Sequence, residues 1–156
     1  MKRPLRRELV FQLVETSRLL RTYVEQRARQ HGTTRAQWGV MSRLRRQEGL
    51  NQAALADQMD LQPISLARLL DRLQSQNLIE RREDPADRRA YRLFLTPDGR
   101  ALVDDLDSVR TEIAQEILGE AEEEAILSAL GTLSVIREQI RARSEDKAPA
   151  TAGNAA

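Results

Sequence analysis

Apolar side chains recur at steps of three and four from Leu5 to Gln30. Leu5, Leu9, Leu13, Leu20 and Val24, with Phe11, Leu19 and Tyr23 alongside, predict one long amphipathic helix. The segment His31 to Thr34 interrupts the pattern, and His31 reads as a helix-end residue rather than a ligand. Thr34 with Gln37 three residues on has the form of a capping box, opening a second helix that runs to about Gln47 with Trp38, Met41 and Leu44 on one face. Gly49 ends that helix, and Asn51 caps a short third one through Met59, with Ala54, Leu55 and Met59 inward. Proline is sterically pre-set for the first position of a helix, so Pro63 opens a fourth that reaches about Gln76. Its Ile64, Ala67, Leu70 and Leu73 are expected to be buried, whereas Gln62, Ser65, Arg68 and Arg72 lie opposite and are not explained by packing.

The period then changes. Asn77 tolerates the left-handed backbone on which helices often end. Leu78–Arg82 and Tyr91–Leu95 read as short strands, with Glu83–Ala90 as the hairpin loop between them. Thr96 and Pro97 cap and open a fifth helix striped by Ala101, Leu102, Leu106, Val109, Ile113 and Ile117. Glu122 to Glu124 then stand where a helix N-terminus favours negative charge, and a sixth helix follows with Ile126, Leu130, Leu133, Ile136 and Ile140. From Ser144 the tail has nothing to bury, so 144–156 is expected to be disordered. The implied fold class is mainly α with a small β-hairpin wing. A winged helix-turn-helix occupies 34–96, and the long helices of 5–30 and 97–143 form a region suited to joining two copies.

Composition narrows the function. Aromatic residues make up 3 % of the chain and charged ones 31 %, so the core is built from aliphatic side chains and Met, which suits helices. The absence of cysteine removes disulfides, thiolate metal sites and thiol switches, and the single histidine argues against an imidazole metal cluster. No apolar run approaches the roughly 20 residues of a membrane span, and MKRPLRREL lacks a signal peptide's apolar core, so a cytoplasmic protein without membrane partners is expected. No phosphate-cradling loop, metal cluster or nucleophile and base pair supports an enzyme, and no cofactor is implied.

The net charge of +1 conceals polarity along the chain. Residues 1–50 hold twelve Lys/Arg against four Glu, whereas 101–124 hold one Arg against nine Asp/Glu. Near neutrality therefore says nothing against a polyanionic partner; what matters is where arginines gather in space.

A tight pair of helices such as 51–59 and 63–76 is on its own as compatible with a helical corner as with a DNA-reading motif. The ribbon that follows, with Arg81, Arg82, Arg88, Arg89 and Arg92, shifts the balance. An arginine-tipped hairpin suits the narrow, electronegative minor groove while the preceding helix is of a size to enter the major groove. The competing reading is a solvated hairpin balanced by Glu80, Glu83, Asp84 and Asp87.

These residues resemble the MarR family of bacterial winged-helix regulators. That family's wing carries an aspartate, any residue, an arginine, five residues, then leucine and threonine, and Asp87, Arg89, Leu95 and Thr96 stand at that spacing. The likeness extends to Thr34, Gln37 and Trp38 at the start of the second helix, to the Pro63 entry, to the run from Leu69 to Leu78, and to the long helix after Thr96. Where the family often has glycine this chain has Asn77, and Glu120 and Ala121 replace the usual Ser/Thr cap of the sixth helix.

The resemblance implies double-stranded DNA as partner, with Arg89 in the minor groove, Asp87 bracing it by an ion pair, and Arg88 beside them. Gln62, Pro63, Ile64, Ser65, Arg68 and Arg72 would lie along the major groove. It further implies a homodimer on a pseudo-palindromic site, repression as the usual outcome, and release by a small-molecule effector, for many relatives an aromatic or phenolic acid. Leu13, Ser17, Trp38, Met41 and Arg45 are the expected wall of the effector pocket, although residues such as Trp38 and Met41 more often serve as plain core. Which of Arg18, Arg43 and Arg45 would fix a carboxylate is left open. The alternative from another class is a winged helix used only for protein contacts, which would lack salt-dependent affinity for duplex DNA.

Overall fold

A computed structural model of the chain describes residues 4–145. Its elements are α1 (Leu5–Gln30), α2 (Arg35–Arg46), β1 (Leu50–Asn51), α3 (Gln52–Met59), α4 (Pro63–Ser75), β2 (Ile79–Asp84), β3 (Asp87–Leu95), α5 (Pro97–Leu118) and α6 (Glu123–Glu145). They fall into two compact units, the first ending at Ile113 and the second beginning at Ala114.

The helix starts form where the polar residues dictate. Thr34 Oγ1 accepts the Gln37 amide at 3.1 Å while Gln37 Oε1 accepts the Thr34 amide at 3.2 Å, closing the capping box. Asn51 Oδ1 accepts the Ala54 amide at 2.8 Å. Thr96 works in both directions: its hydroxyl accepts the Gly99 amide at 3.0 Å and donates to the Asn77 carbonyl at 2.6 Å, tying the start of α5 to the end of α4. Asn77 is left-handed there, φ 58°. Gly99 is required by proximity, since a Cβ at that position would lie 1.9 Å from the Leu78 carbonyl oxygen.

The core of the first unit joins Val40, Met41 and Leu44 of α2, Leu55 of α3, Leu66, Leu70 and Leu73 of α4, Ile79 and Leu93 of the sheet, and Val103 and Leu106 of α5, all essentially inaccessible. The phase of α4 differs from the expectation. Leu66, not Ile64, completes the buried row, and Ile64 is 64 % exposed while Ala67 is only half-buried. The stretch Ile64 to Leu70 contains four apolar residues besides Ala67, enough to draw a face at either of two angles, and only packing against α3 and the sheet selects one. In α5 the buried row is Val103, Leu106, Val109 and Ile113, so Ala101 and Ile117 are not part of it.

The three-stranded antiparallel sheet has the order β1-β3-β2. Two residues of β1, too few to show a period, pair Leu50 with Leu93 and Asn51 with Arg92. The wing strands are longer than the sequence suggested, meeting at a turn around Pro85 and Ala86 instead of an eight-residue loop. Charged side chains hid this extension: Arg82 pairs with Arg92 and Glu83 with Tyr91 across a ribbon that projects into solvent and needs no apolar face.

Along α1, Ala28 is buried and Tyr23 and Val24 pack on the core, but Leu5, Leu9, Val10, Phe11, Val14, Leu19 and Leu20 are all more than 40 % exposed. In the second unit, α6 exposes Leu127, Leu130, Val135 and Ile140. It continues to Glu145, two residues past its expected end at 143, and 146–156 lie outside the described residues. Among the described residues no helix is long and apolar enough to cross a membrane.

Candidate nucleic-acid interface

With Leu66, Leu70 and Leu73 anchored in the core, helical geometry aims the rest of α4 outward. Gln62, Pro63, Ile64, Ser65, Arg68 and Arg72 are all exposed. Pro63 occupies the first helical turn, where its missing amide costs no hydrogen bond, and the Gln62 carbonyl accepts the Leu66 amide at 3.1 Å. Arg68 and Arg72, one turn apart, border an open cleft of about 610 Å³ shared with Ser65 and Leu69.

The five ribbon arginines separate into two kinds. Arg81 Nη2 bonds Asp71 Oδ1 at 2.8 Å, and its Nη1 reaches the Gln74 amide oxygen, so this side chain clasps α4. Arg82 pairs with Glu80, its guanidinium 4.1 Å from the centroid of Phe94. Arg92 Nε bonds Asp84 at 3.1 Å. Among the described residues, Arg88 and Arg89 have no carboxylate partner, and both are exposed at the wing tip. The balanced-hairpin reading therefore holds for Arg82 and Arg92, whereas Arg81 is held by α4 and Arg88 and Arg89 are unpaired.

Asp87 meets Arg89 through the main chain: its Oδ1 accepts the Arg89 amide at 2.9 Å, where the resemblance implied an ion pair. That bond shapes the strand start and leaves the guanidinium directed by the backbone alone. Asp84 organises the turn itself, accepting the Ala86 amide at 2.9 Å on one oxygen and Arg92 on the other. The Ala86 amide first, and Arg92 second, hold the Asp84 carboxyl below its ordinary value.

The expected effector wall is dispersed. Met41 is inaccessible and Trp38 only 3 % exposed, both within the core. Leu13 and Ser17 lie half-buried on α1, the Ser17 hydroxyl accepting from Arg21 at 3.0 Å, and Arg45 Nε bonds Asp104 at 3.0 Å. None of the five lines the cleft bordered by Arg43 and Arg110, the one bordered by Arg68 and Arg72, or the one bordered by Arg29 and Gln76. The sequence reading passed over Arg46 and Arg110, which the fold brings beside Arg43 in a cleft of their own. Their separation of 64 positions left no local signal. His31 caps the end of α1, its amide donating to the Ala28 carbonyl at 3.0 Å.

A helix-turn-helix with an exposed polar second helix, followed by a hairpin tipped with unpaired arginines, defines a winged helix-turn-helix. A family model described as MarR family matches residues 33–91. The chain is 32 % identical over 98 residues to the HTH-type transcriptional repressor MdtR of Bacillus subtilis (strain 168), covering 63 % of each protein. It is 37 % identical over 68 residues to a putative transcriptional regulatory protein for the hcr operon of Thauera aromatica, 44 % of this chain and 41 % of that one. The chain thus spans less than two thirds of the length of these curated relatives. Among solved structures, that of MarR superposes with a TM-score of 0.73 at 27 % identity, over 93 % of this chain and 98 % of the other. The MepR–DNA complex of S. aureus shares the fold, with a TM-score of 0.72 at 24 % identity over 85 % and 96 %. Over residues 33–91 the chain is thus similar to the MarR family, and it shares the fold of solved MarR-family structures.

Proposed function

We propose that this chain is a homodimeric, DNA-binding repressor of the cytoplasm, released from a pseudo-palindromic operator by a small-molecule effector. The observation that carries the reading is the sorting of arginines: Arg68 and Arg72 on α4 and Arg88 and Arg89 on the wing face solvent without carboxylate partners, while Arg81, Arg82 and Arg92 are tied within the fold. An arginine held in a neutral ion pair has little to offer a phosphate; an unpaired one releases a counterion when it binds. In this reading α4 enters the major groove with Gln62, Pro63, Ile64 and Ser65 leading, and Arg89 enters the adjacent minor groove, with Asp87 fixing its backbone. The exposed aliphatic faces of α1 and of α6 supply the surface for a second copy, so 5–30 and 97–143 act as the dimerisation region and 34–96 as the DNA-binding domain. The names of two similar proteins, a transcriptional repressor and a protein solved with DNA, support the same assignment.

Arg89→Ala tests it. On an operator selected from genomic fragments, the variant should stay dimeric, lose about 10- to 100-fold in affinity, and show a salt slope shallower by about one unit. Unchanged affinity would reject the minor-groove role, and a parent protein with no salt-dependent affinity for duplex DNA would point instead to a module for protein contacts.

A further inference from the structure

A cleft of about 440 Å³ opens between α2, α3 and α5, within the first unit, and is separate from the reading face of α4. Arg43 and Arg46, three residues apart, project from one side of α2 beside Gly39, which contributes no side chain. Arg110 enters from α5, with Ser42, Gln47 and Gln58 filling the remaining wall. Three guanidinium groups thus share one space whose lining contains no carboxylate; outside it, Asp107 on α5 itself forms a long ion pair with Arg110 Nη1 at 3.5 Å.

Two of the three cations are held in position. Arg43 donates to the Gly39 carbonyl at 3.2 Å and to the Gln58 carbonyl at 3.4 Å, bridging α2 to α3. Arg110 donates to Ser42 Oγ at 3.1 Å, with its guanidinium 5.3 Å from the centre of the Trp38 ring. Arg46 is exposed and has no carboxylate partner among the described residues. Gathering like charges is unfavourable unless an anion neutralises them, and fixed planar guanidiniums suit the oxygens of carboxylate or phosphate.

We propose that this cleft is a binding site for a small polyanion carrying two or more carboxylate or phosphate groups, bound by Arg43, Arg46 and Arg110. The lining argues against a single-charged aromatic acid, which needs apolar walls for its ring that the aliphatic stems of arginine and the glutamines do not supply. The site adjoins both α3, the first helix of the helix-turn-helix, and α5. A ligand drawing the three arginines together would therefore change how firmly α3 is held, and this regulatory consequence rests on the DNA-binding reading above.

Trp38, the only tryptophan of the chain, lies under Arg110 and reports on occupancy. The full-length protein without DNA is titrated with citrate and, separately, with pyrophosphate, at ionic strength held constant with sodium chloride. Both should give a saturable change in tryptophan emission, and the tighter of the two distinguishes a polycarboxylate site from a phosphate site. Replacing two charged donors with Arg43→Gln and Arg46→Gln should weaken that ligand by about tenfold or more. Arg46→Gln alone, at an exposed helix end, should weaken it without altering the thermal melt. A linear response, equal affinity for salicylate, or undiminished affinity in the double variant would overturn the proposal. Operator binding measured on the same proteins keeps the two readings apart, because the titration contains no DNA.

Discussion

Helices α4 and α1 are both amphipathic, yet they use the two faces in opposite ways. In α4 the apolar row of Leu66, Leu70 and Leu73 is consumed by the chain's own core, and what remains outside is Gln62, Ser65, Arg68 and Arg72. In α1 only the last two turns reach that core, through Tyr23, Val24 and Ala28, and what remains outside includes, among charged residues, the aliphatic Leu5, Leu9, Val10, Val14, Leu19 and Leu20. The face a helix leaves uncovered indicates the chemistry of its partner. Unpaired arginines suit a polyanion, whereas a run of exposed leucines and valines suits another apolar surface.

The contrast is broken most severely in the core. Leu70→Ala removes a fully buried side chain and should destabilise the fold by about 2–5 kcal/mol in urea melts. Leu9→Ala on α1, where Leu9 is 43 % exposed, should change the stability of the separated monomer by less than about 1 kcal/mol. Equal losses at the two positions would show that α1 is as integral to one copy as α4 is.

The exposed side of α1 is probed by charge. Leu9 and Leu20 are eleven residues apart, close to three helical turns, and so lie along one line of the helix. Leu9→Glu combined with Leu20→Glu should raise the dimer dissociation constant about 100-fold or more while the melt of the winged-helix lobe persists. Sedimentation that still finds dimers at micromolar concentration would move the interface away from this face.

Arg81 and Arg89 sharpen the comparison, because both belong to the ribbon yet differ in attachment. Arg81 clasps Asp71 and Gln74 of α4, with its side chain only 18 % exposed, so it ties the ribbon to α4 and is not free to grip phosphate. Arg81→Ala should therefore weaken operator binding by about tenfold with the salt slope unchanged, in contrast to the reduced slope expected for Arg89→Ala. A slope that falls in both variants would place Arg81 on the phosphates.

Much of this was legible in the sequence because the signals are local. Thr34 with Gln37, Asn51, Pro63 and Asn77 act within four residues of where they stand, and each marks the element boundary it predicts. What was not legible depends on distant parts of the chain. Whether Ile64 or Leu66 turns inward is decided by the elements that pack on α4, the need for Gly99 comes from the Leu78 carbonyl, and the charge run of the wing could not reveal that Arg81, Arg82 and Arg92 are engaged while Arg88 and Arg89 are not. The arginine cleft is the extreme case, since its members lie on helices separated by most of the winged-helix lobe.

The smallest expected effect concerns the wing turn that presents Arg89. Asp84 accepts the Ala86 amide and Arg92 more strongly as a carboxylate than as the neutral acid, so its proton affinity is lower in the native wing than in the unfolded chain. The sign follows from linkage: the contribution is complete above the ordinary value of 3.8, declines as pH falls below it, and is gone beneath the lowered native value. Near neutral pH the turn should thus be indifferent to pH. The Ala86 amide resonance should keep its position until the solution is more acidic than an ordinary aspartate requires, and Asp84→Asn should remove that acid transition while leaving operator affinity at pH 7 within about threefold of the parent. An amide that titrates at or above the ordinary carboxylate value would mean that the turn does not hold Asp84 ionised, and the ordering of Arg89 would then have to come from Asp87 alone.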